Sequence, residues 1–322
     1  YANPNVLLEM ADVLLNYVRH GARWLRLDAA GLLWKQSGTN CLHLPQTHML
    51  IQLLRVVLDL VAPQVGIVPQ INGPLSENLP YLGDGHNEAQ MIYHYALPVL
   101  VWHALIFSRS TELNAWLSSV SLPSKDTYLY NFLACHDGIS LRPARSLVPE
   151  NDLAQMLEQA VRNGGKINFR KNEQSQEVPY EVAITYYDAL NALDLSVDQA
   201  IARFKVAHAI MLTLAGVPAL YFQSLLGARS WQEGWRETGV NRTLNRRKYE
   251  RQEIEGLLTD PALHHRVVYR SLLELVSVRR NEPAFHPHAP QAILHMDERI
   301  FGIRRDRVDQ SVSLYGLHNL SH

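Results

Sequence analysis

Only two cysteines, Cys41 and Cys135, occur in 322 residues. That excludes a disulfide-stapled secreted scaffold and makes a reducing, cytoplasmic setting the simpler expectation. An excess of one charge is also lacking, since 30 Lys and Arg face 31 Asp and Glu. The balance supplies no general electrostatic reason to bind nucleic acid or an anionic membrane. No stretch reaches the ~18 uninterrupted apolar residues that a membrane helix needs. A P-loop, a GxGxxG turn after a strand and a GxSxG elbow are all missing, so nucleotide, dinucleotide and serine-hydrolase chemistry recede. The opening Tyr1-Ala2-Asn3-Pro4 has no Met, basic n-region or apolar h-region, so no signal peptide is read there. Both ends read as cut, with His322 inside what looks like a strand, as in a fragment.

What is present is an apolar share of 47% against 19% charged residues. This is enough for a sizeable core, in one large domain or two ordinary ones, and too apolar for disorder. Val6, Leu7, Met10, Val13, Leu14 and Val18 recur at helical spacing over 5–20, behind Pro4. Trp24–Asp28 alternates as a short strand ending on a carboxylate. A helix over 46–61, a strand at Val65–Gln70, a strand and helix within 88–107 and a strand at Tyr128–Cys135 follow. The stretch 163–178 is a polar Gly- and Asn-rich excursion. Beyond it come a helix at 198–215, a strand at Ala219–Gln223, an Arg-rich segment at 236–251 and a helix near 263–280. From Ala292 the short alternating runs Ile293–Met296, Ile300–Arg304 and Ser311–Leu317 begin an antiparallel β module. Strands alternating with helices predict a parallel α/β architecture with its chemistry at the carboxyl ends of the strands. Periodicity does not separate a closed barrel from an open sheet.

Three strand ends are candidates: Asp28, Gln70 and Asp137. A carboxylate there serves either chemistry or an N-cap. Arg26 lies two residues before Asp28, on the same strand face, where an Arg keeps an Asp ionised as a nucleophile requires; a structural ion pair is the other reading. His136 sets a donor beside Asp137. The fifteen histidines, among them His43/His48, His264/His265 and His286/His288, lack the spacing of a zinc site with its fourth ligand, so surface or core roles are expected. Arg242, Arg246 and Arg247 either bind phosphate or form a solvated helix face.

Together these segments resemble glycoside hydrolase family 13, over essentially the whole chain. Arg26-Leu27-Asp28-Ala29 looks like the segment ending the fourth strand of the family's barrel, and Phe132-Leu133-Ala134-Cys135-His136-Asp137-Gly138 looks like the segment ending the seventh. The sucrose-phosphorylase-like subfamily is nearer. Its glucosylglycerate phosphorylase branch is resembled at Leu33-Trp34-Lys35, Gly38-Thr39-Asn40-Cys41, His43-Leu44-Pro45-Gln46-Thr47-His48, Tyr81-Leu82-Gly83-Asp84-Gly85 and Gly239-Val240-Asn241-Arg242. The resemblance implies a (β/α)8 TIM barrel fragment. It would start just before the fourth strand, cover 1–285 with an excursion at about 140–197, and lead into a C-terminal antiparallel β domain at 286–322.

The implied activity is retaining α-glucosyl transfer, the reversible phosphorolysis of an α-glucoside to α-glucose 1-phosphate. Asp28 would be the nucleophile and Asp137 the transition-state stabiliser, with Arg26, His136 and Arg242 contacting the sugar. No cofactor or metal is implied; inorganic phosphate is the co-substrate, and the implied partners are a small α-glucoside or glucose 1-phosphate, with no nucleic acid or membrane. Two departures stand out. The family's fifth-strand segment reads Thr-Glu-Thr-Asn-Val-Pro-His, whereas this chain has Pro69-Gln70-Ile71-Asn72-Gly73-Pro74-Leu75, so Gln70 occupies the acid/base position. The first three barrel strands would precede Tyr1. Both point to impaired turnover, and the alternatives are a lapsed sugar-binding homologue or the remnant of a truncated gene.

Overall fold

Asn3 and Pro4 start the first helix, Pro4–Arg19. The Asn3 side chain accepts from the Asn5 amide at 3.0 Å, and Pro4 fills a first-turn position that needs no donor. The structure is a computed structural model that describes residues 1–172, 175–191 and 194–321; His322, read as ending a strand, lies outside the described residues. The chain forms two compact units, Tyr1–His94 with Ser121–Tyr130, and Tyr95–Val120 with Asn131–His322. Among the described residues no helix is long and apolar enough to cross a membrane.

In the first unit, β1 (Trp24–Leu27) and β2 (Gly66–Pro69) run parallel with Trp24 opposite Gly66 and Leu27 opposite Pro69. The helix Pro45–Val61 connects them. A Cβ at position 66 would lie 2.3 Å from the Trp24 ring, so only glycine fits that partner. All four residues of β2 are buried, which explains its uninterrupted apolar sequence. Next comes β3 (Met91–Tyr93), joined to β2 through Gln90. The Gln90 amide donates to Ile67 O at 3.2 Å, and its Oε1 accepts from Ile67 N at 3.0 Å. Then β4 (Tyr128–Phe132) pairs parallel with β3. A small core of Leu25, Leu54, Leu58, Val65 and Ile67 lies behind.

The two long helices of this unit each carry a second apolar stripe that faces solvent. Val6, Met10, Val13 and Tyr17 are exposed on Pro4–Arg19, and Met49, Leu53, Val56 and Leu60 on Pro45–Val61, Leu60 at 80%. Both rows have the i, i+4, i+7, i+11 spacing of one helix face.

The second unit is built on the helix Leu97–Phe107, buried from Leu97 through Leu105 with Trp102 at its centre. Helices Glu150–Arg162, Val197–Thr213 and His264–Asn281 pack around it. The polar stretch at 163–178 is only partly an excursion. Strands β6 (Lys166–Lys171) and β7 (Glu177–Ala183) form an antiparallel hairpin there, and β5 (Ile139–Ser140) joins β7. The strand expected at Ala219–Gln223 is displaced. It runs as β8 (Val217–Ala219), and Phe222–Leu225 turns helical as Tyr221 O accepts from the Ser224 and Leu225 amides. The terminal module is antiparallel as read, β9 (Gln291–Leu294), β10 (Ile300–Asp306) and β11 (Ser313–Asn319) in the order β11-β10-β9. Its Phe301 and Ile303 belong to the core of this unit.

Two arginines, one half-buried and one fully buried, secure the carbonyls that the helix Val197–Thr213 leaves open at its end. Arg279 donates to the carbonyls of Leu212, Leu214 (3.0 Å) and Gly216 (2.7 Å). Arg305, fully buried, donates to Thr213 (2.7 Å), His286 (2.9 Å), Ala289 (3.2 Å) and Pro290 (3.4 Å). Burial, and for Arg305 the neighbouring Arg279 as well, pushes both guanidinium groups down to about 10, still fully charged at neutral pH. Replacing Arg305 with Met removes every one of its donors from buried carbonyls and is expected to cost about 3 kcal/mol or more. A urea midpoint within error of the parent would contradict this.

Candidate active site

At the end of β1, Ala29 takes a left-handed backbone (φ 45°) and turns the chain into the short helix Ala30–Leu32. The turn leaves the Asp28 side chain 74% exposed. Arg26 Nη1 meets Asp28 Oδ1 at 2.7 Å, and Arg26 Nε donates to Tyr93 OH at 2.9 Å. Burial disfavours the Arg26 cation, but Tyr93 and Asp28 outweigh it and raise its pKa. So open an ion pair contributes at most ~1 kcal/mol to stability, so holding the fold together is a minor part of what the pair can do.

Position 70 sits directly alongside. Because Leu27 and Pro69 are register partners, Asp28 and Gln70 leave neighbouring parallel strands side by side. Hydrogen bonds from both its main chain and its side chain fix Gln70. Its amide donates to Leu27 O (2.9 Å), its carbonyl accepts from Ala30 N (3.2 Å), and its Oε1 accepts from Ala29 N (3.1 Å).

In the second unit the strand expected to run through Cys135 ends earlier, at Phe132, and Asp137 stands on an irregular turn. Arg246 Nη2 lies 2.9 Å and Arg242 Nη1 3.7 Å from Asp137 Oδ1, while His136 Nε2 is 3.6 Å from Oδ2. Arg242 also reaches within 4.0 Å of buried Glu181, which accepts from Asn168 Nδ2 at 2.8 Å. A Cβ on Gly138 would come within 2.5 Å of Val182 O and 2.6 Å of Glu181 Cγ, so the residue after Asp137 must be glycine for β5 to meet β7.

The Arg-rich segment is therefore no solvated helix face. Arg242 and Arg246 turn to Asp137, while Arg247 pairs with Glu253 at 2.5 Å. The sequence reading singled out Arg242, but it missed that Arg246 makes the shorter contact; nothing in the local pattern ranks one above the other. Tyr93 and Glu181 carried no sequence signal either. The ligand atoms of Cys135, His136 and Asp137 lie within 4.8 Å of one another, the one such grouping among the described residues. Two guanidinium groups on Asp137 oppose a cation there. His43 is held by Tyr81 OH (2.8 Å) and Glu77 (3.2 Å), and His48 by Glu88 (3.0 Å). His264 and His265 bond main-chain carbonyls.

No protein-family model matches the chain. Its sequence is 42% identical over 321 residues to glucosylglycerate phosphorylase of Escherichia coli (strain K12), covering all of this chain and 57% of that protein. It is 43% identical over 317 residues to the glucosylglycerate phosphorylase of Allomeiothermus silvanus, 98% of this chain and again 57% of the relative. Among solved structures, sucrose 6F-phosphate phosphorylase from Thermoanaerobacter thermosaccharolyticum superposes with a TM-score of 0.79 at 21% identity, over 96% of this chain and 58% of that one. An α-amylase from H. orenii gives 0.64 at 16%, over 99% and 55%. The fold is that of the α-amylase-type barrel proteins with a C-terminal β domain. Within that class its sequence is similar along its whole length to the glucosylglycerate phosphorylases. It spans a little over half the length of the curated relatives it matches.

Proposed function

We propose that the chain carries the nucleophile and the transition-state stabiliser of a retaining α-glucosyl transferase that runs the phosphorolysis of an α-glucoside reversibly. Asp28 attacks the anomeric carbon as the glycosidic C–O bond breaks, leaving a glucosyl ester. A phosphate oxygen then attacks the same carbon and releases Asp28 with α-glucose 1-phosphate. Asp137 stabilises the oxocarbenium-like charge between these states, and Arg26, His136 and Arg242 bind the sugar. Inorganic phosphate is the co-substrate, and the chemistry calls for no cofactor or metal.

The observation that carries this reading is the pairing of Asp28 and position 70. Neighbouring strands are about 4.8 Å apart, close to the ~5–5.5 Å between the two carboxyl groups of a retaining enzyme. Position 70 is an amide, however, which cannot protonate a leaving alkoxide. That favours leaving groups needing little protonation, phosphate above all, and it supports the second reading, a sugar-binding homologue that has lapsed as a catalyst.

The exposed stripes of Pro4–Arg19 and Pro45–Val61, with the 57% coverage of relatives, support a further part of the proposal. The chain supplies barrel strands four to eight, and additional polypeptide covers those stripes to complete the site. The test is phosphate release from α-glucose 1-phosphate with glycerate, fructose, glycerol and other polyols offered as acceptors. It is run on the chain alone and on the chain extended at its amino end. Release that disappears in Asp28→Ala supports transfer; release indifferent to Asp28→Ala overturns it. Sugar binding without release, in folded protein, selects the lapsed homologue.

A further inference from the structure

A turn that belongs to neither helix nor ladder must satisfy its carbonyls elsewhere. Between Phe132 and Ile139 the carbonyls of three consecutive residues, Cys135, His136 and Asp137, are taken by two consecutive residues from far along the chain. Asn245 Nδ2 donates to Cys135 O (3.2 Å) and Asp137 O (2.6 Å), and Arg246 Nε donates to His136 O (2.6 Å). Asn245 is only 3% exposed. With carbonyls on that side, its amide nitrogen must face the turn, and its Oδ1 is left buried without a partner among the described residues. The anchor is itself tied down. Tyr221 OH donates to Asn245 O at 2.8 Å, and Trp231 N donates to Leu244 O at 2.8 Å.

We infer that Asn245 is a positioning residue for Asp137, acting through the main chain. It bridges the carbonyls of Cys135 and Asp137, so the turn between them cannot swing and the carboxylate keeps its aim. Arg246 cannot replace it, because its guanidinium is divided between one carbonyl and the Asp137 carboxylate. That Asp137 needs such aim rests on the glucosyl-transfer reading, but the clamp itself can be tested without turnover.

Cys135 is the reporter. It is part-buried, and its sulfur accepts from Asp137 N at 3.4 Å, so release of the turn uncovers it. In a Cys41→Ser background it is the sole thiol, and its alkylation by iodoacetamide is followed at rising, sub-denaturing urea. Asn245→Ala is expected to raise the rate about tenfold, the effect of losing two hydrogen bonds to one element. Tyr221→Phe should raise it about threefold. Both increases should be flat in urea, the mark of a local opening that exposes little surface. Unchanged rates overturn the inference. A rise that steepens with urea as global unfolding does overturns it equally, since Asn245 would then support the whole unit. Should Asn245→Ala fail to fold, Tyr221→Phe decides alone.

Discussion

With glutamate in place of Gln70, cleavage of a glucoside whose leaving group is an alkoxide is expected to accelerate by ~10²-fold or more, the usual worth of a general acid. The single-turnover burst of phosphate from glucose 1-phosphate should gain much less, because phosphate departs without a proton and the burst precedes deprotonation of any acceptor. The contrast between the two substrates is the informative measurement: equal gains for both would mean that the side chain at 70 does something other than proton transfer. Glutamate can keep the present geometry, since one carboxyl oxygen accepts from Ala29 N as Gln70 Oε1 now does and the other remains for chemistry. Recovery should nevertheless stop short of the family's full rate. Pro69 is the register partner of Leu27, and Ile71 is buried, so the residues beside Gln70 that depart from the family pattern shape the strand end itself. Full recovery from the single change would refute that last claim.

The second large effect is acid lability of the second unit. Burial pushes His208 down to about 4, against a weaker opposing hydrogen bond with Phe204 O, and it pushes His318 down to about 4 as well. In the unfolded chain each binds its proton near 6.5. Between pH 6.5 and 4 the unfolded state therefore holds protons that the folded state refuses. Stability is complete above about pH 6.5 and falls as the pH drops towards 4. A displacement of that size corresponds to about 3 kcal/mol per histidine, large beside the total stability of most domains. Urea midpoints between pH 7 and 4.5 should fall steeply for the parent, and the fall should be shallower in His208→Gln and shallower again with His318→Gln added. Parallel curves for parent and double variant would exclude the histidines as the cause.

The elements most legible in the sequence were those whose pattern is local. Pro4–Arg19, Pro45–Val61 and the antiparallel run from Gln291 to Asn319 announce themselves by spacing alone. The placement of Arg26 and Asp28 on one strand face was equally readable, because side-chain period two is a property of any strand. The hairpin of β6 and β7 was not, since Gly164 and Gly165 just ahead of it and its own asparagines read as loop, and its pairing with Ile139–Ser140 depends on residues far away in sequence. The same holds for the turn at Asp137. Its apolar run suggests strand through Cys135, yet the carbonyls there find partners at 245 and 246, which no local window contains. The family resemblance supplied a role for Asp137; it did not supply the clamp.

The arginines at 279 and 305 bear on how the chain folds. The helix Val197–Thr213 ends with carbonyls whose donors arrive 67 and 92 residues later. During synthesis Leu212 O waits for Arg279, and Thr213 O stays hydrated until β10 has been made. Contacts of such sequence separation slow folding and prolong exposure of apolar surface. A nascent chain halted ahead of Arg305 should thus hold a loose, protease-sensitive second unit, and β10 should act as the latch whose arrival converts it to the native state.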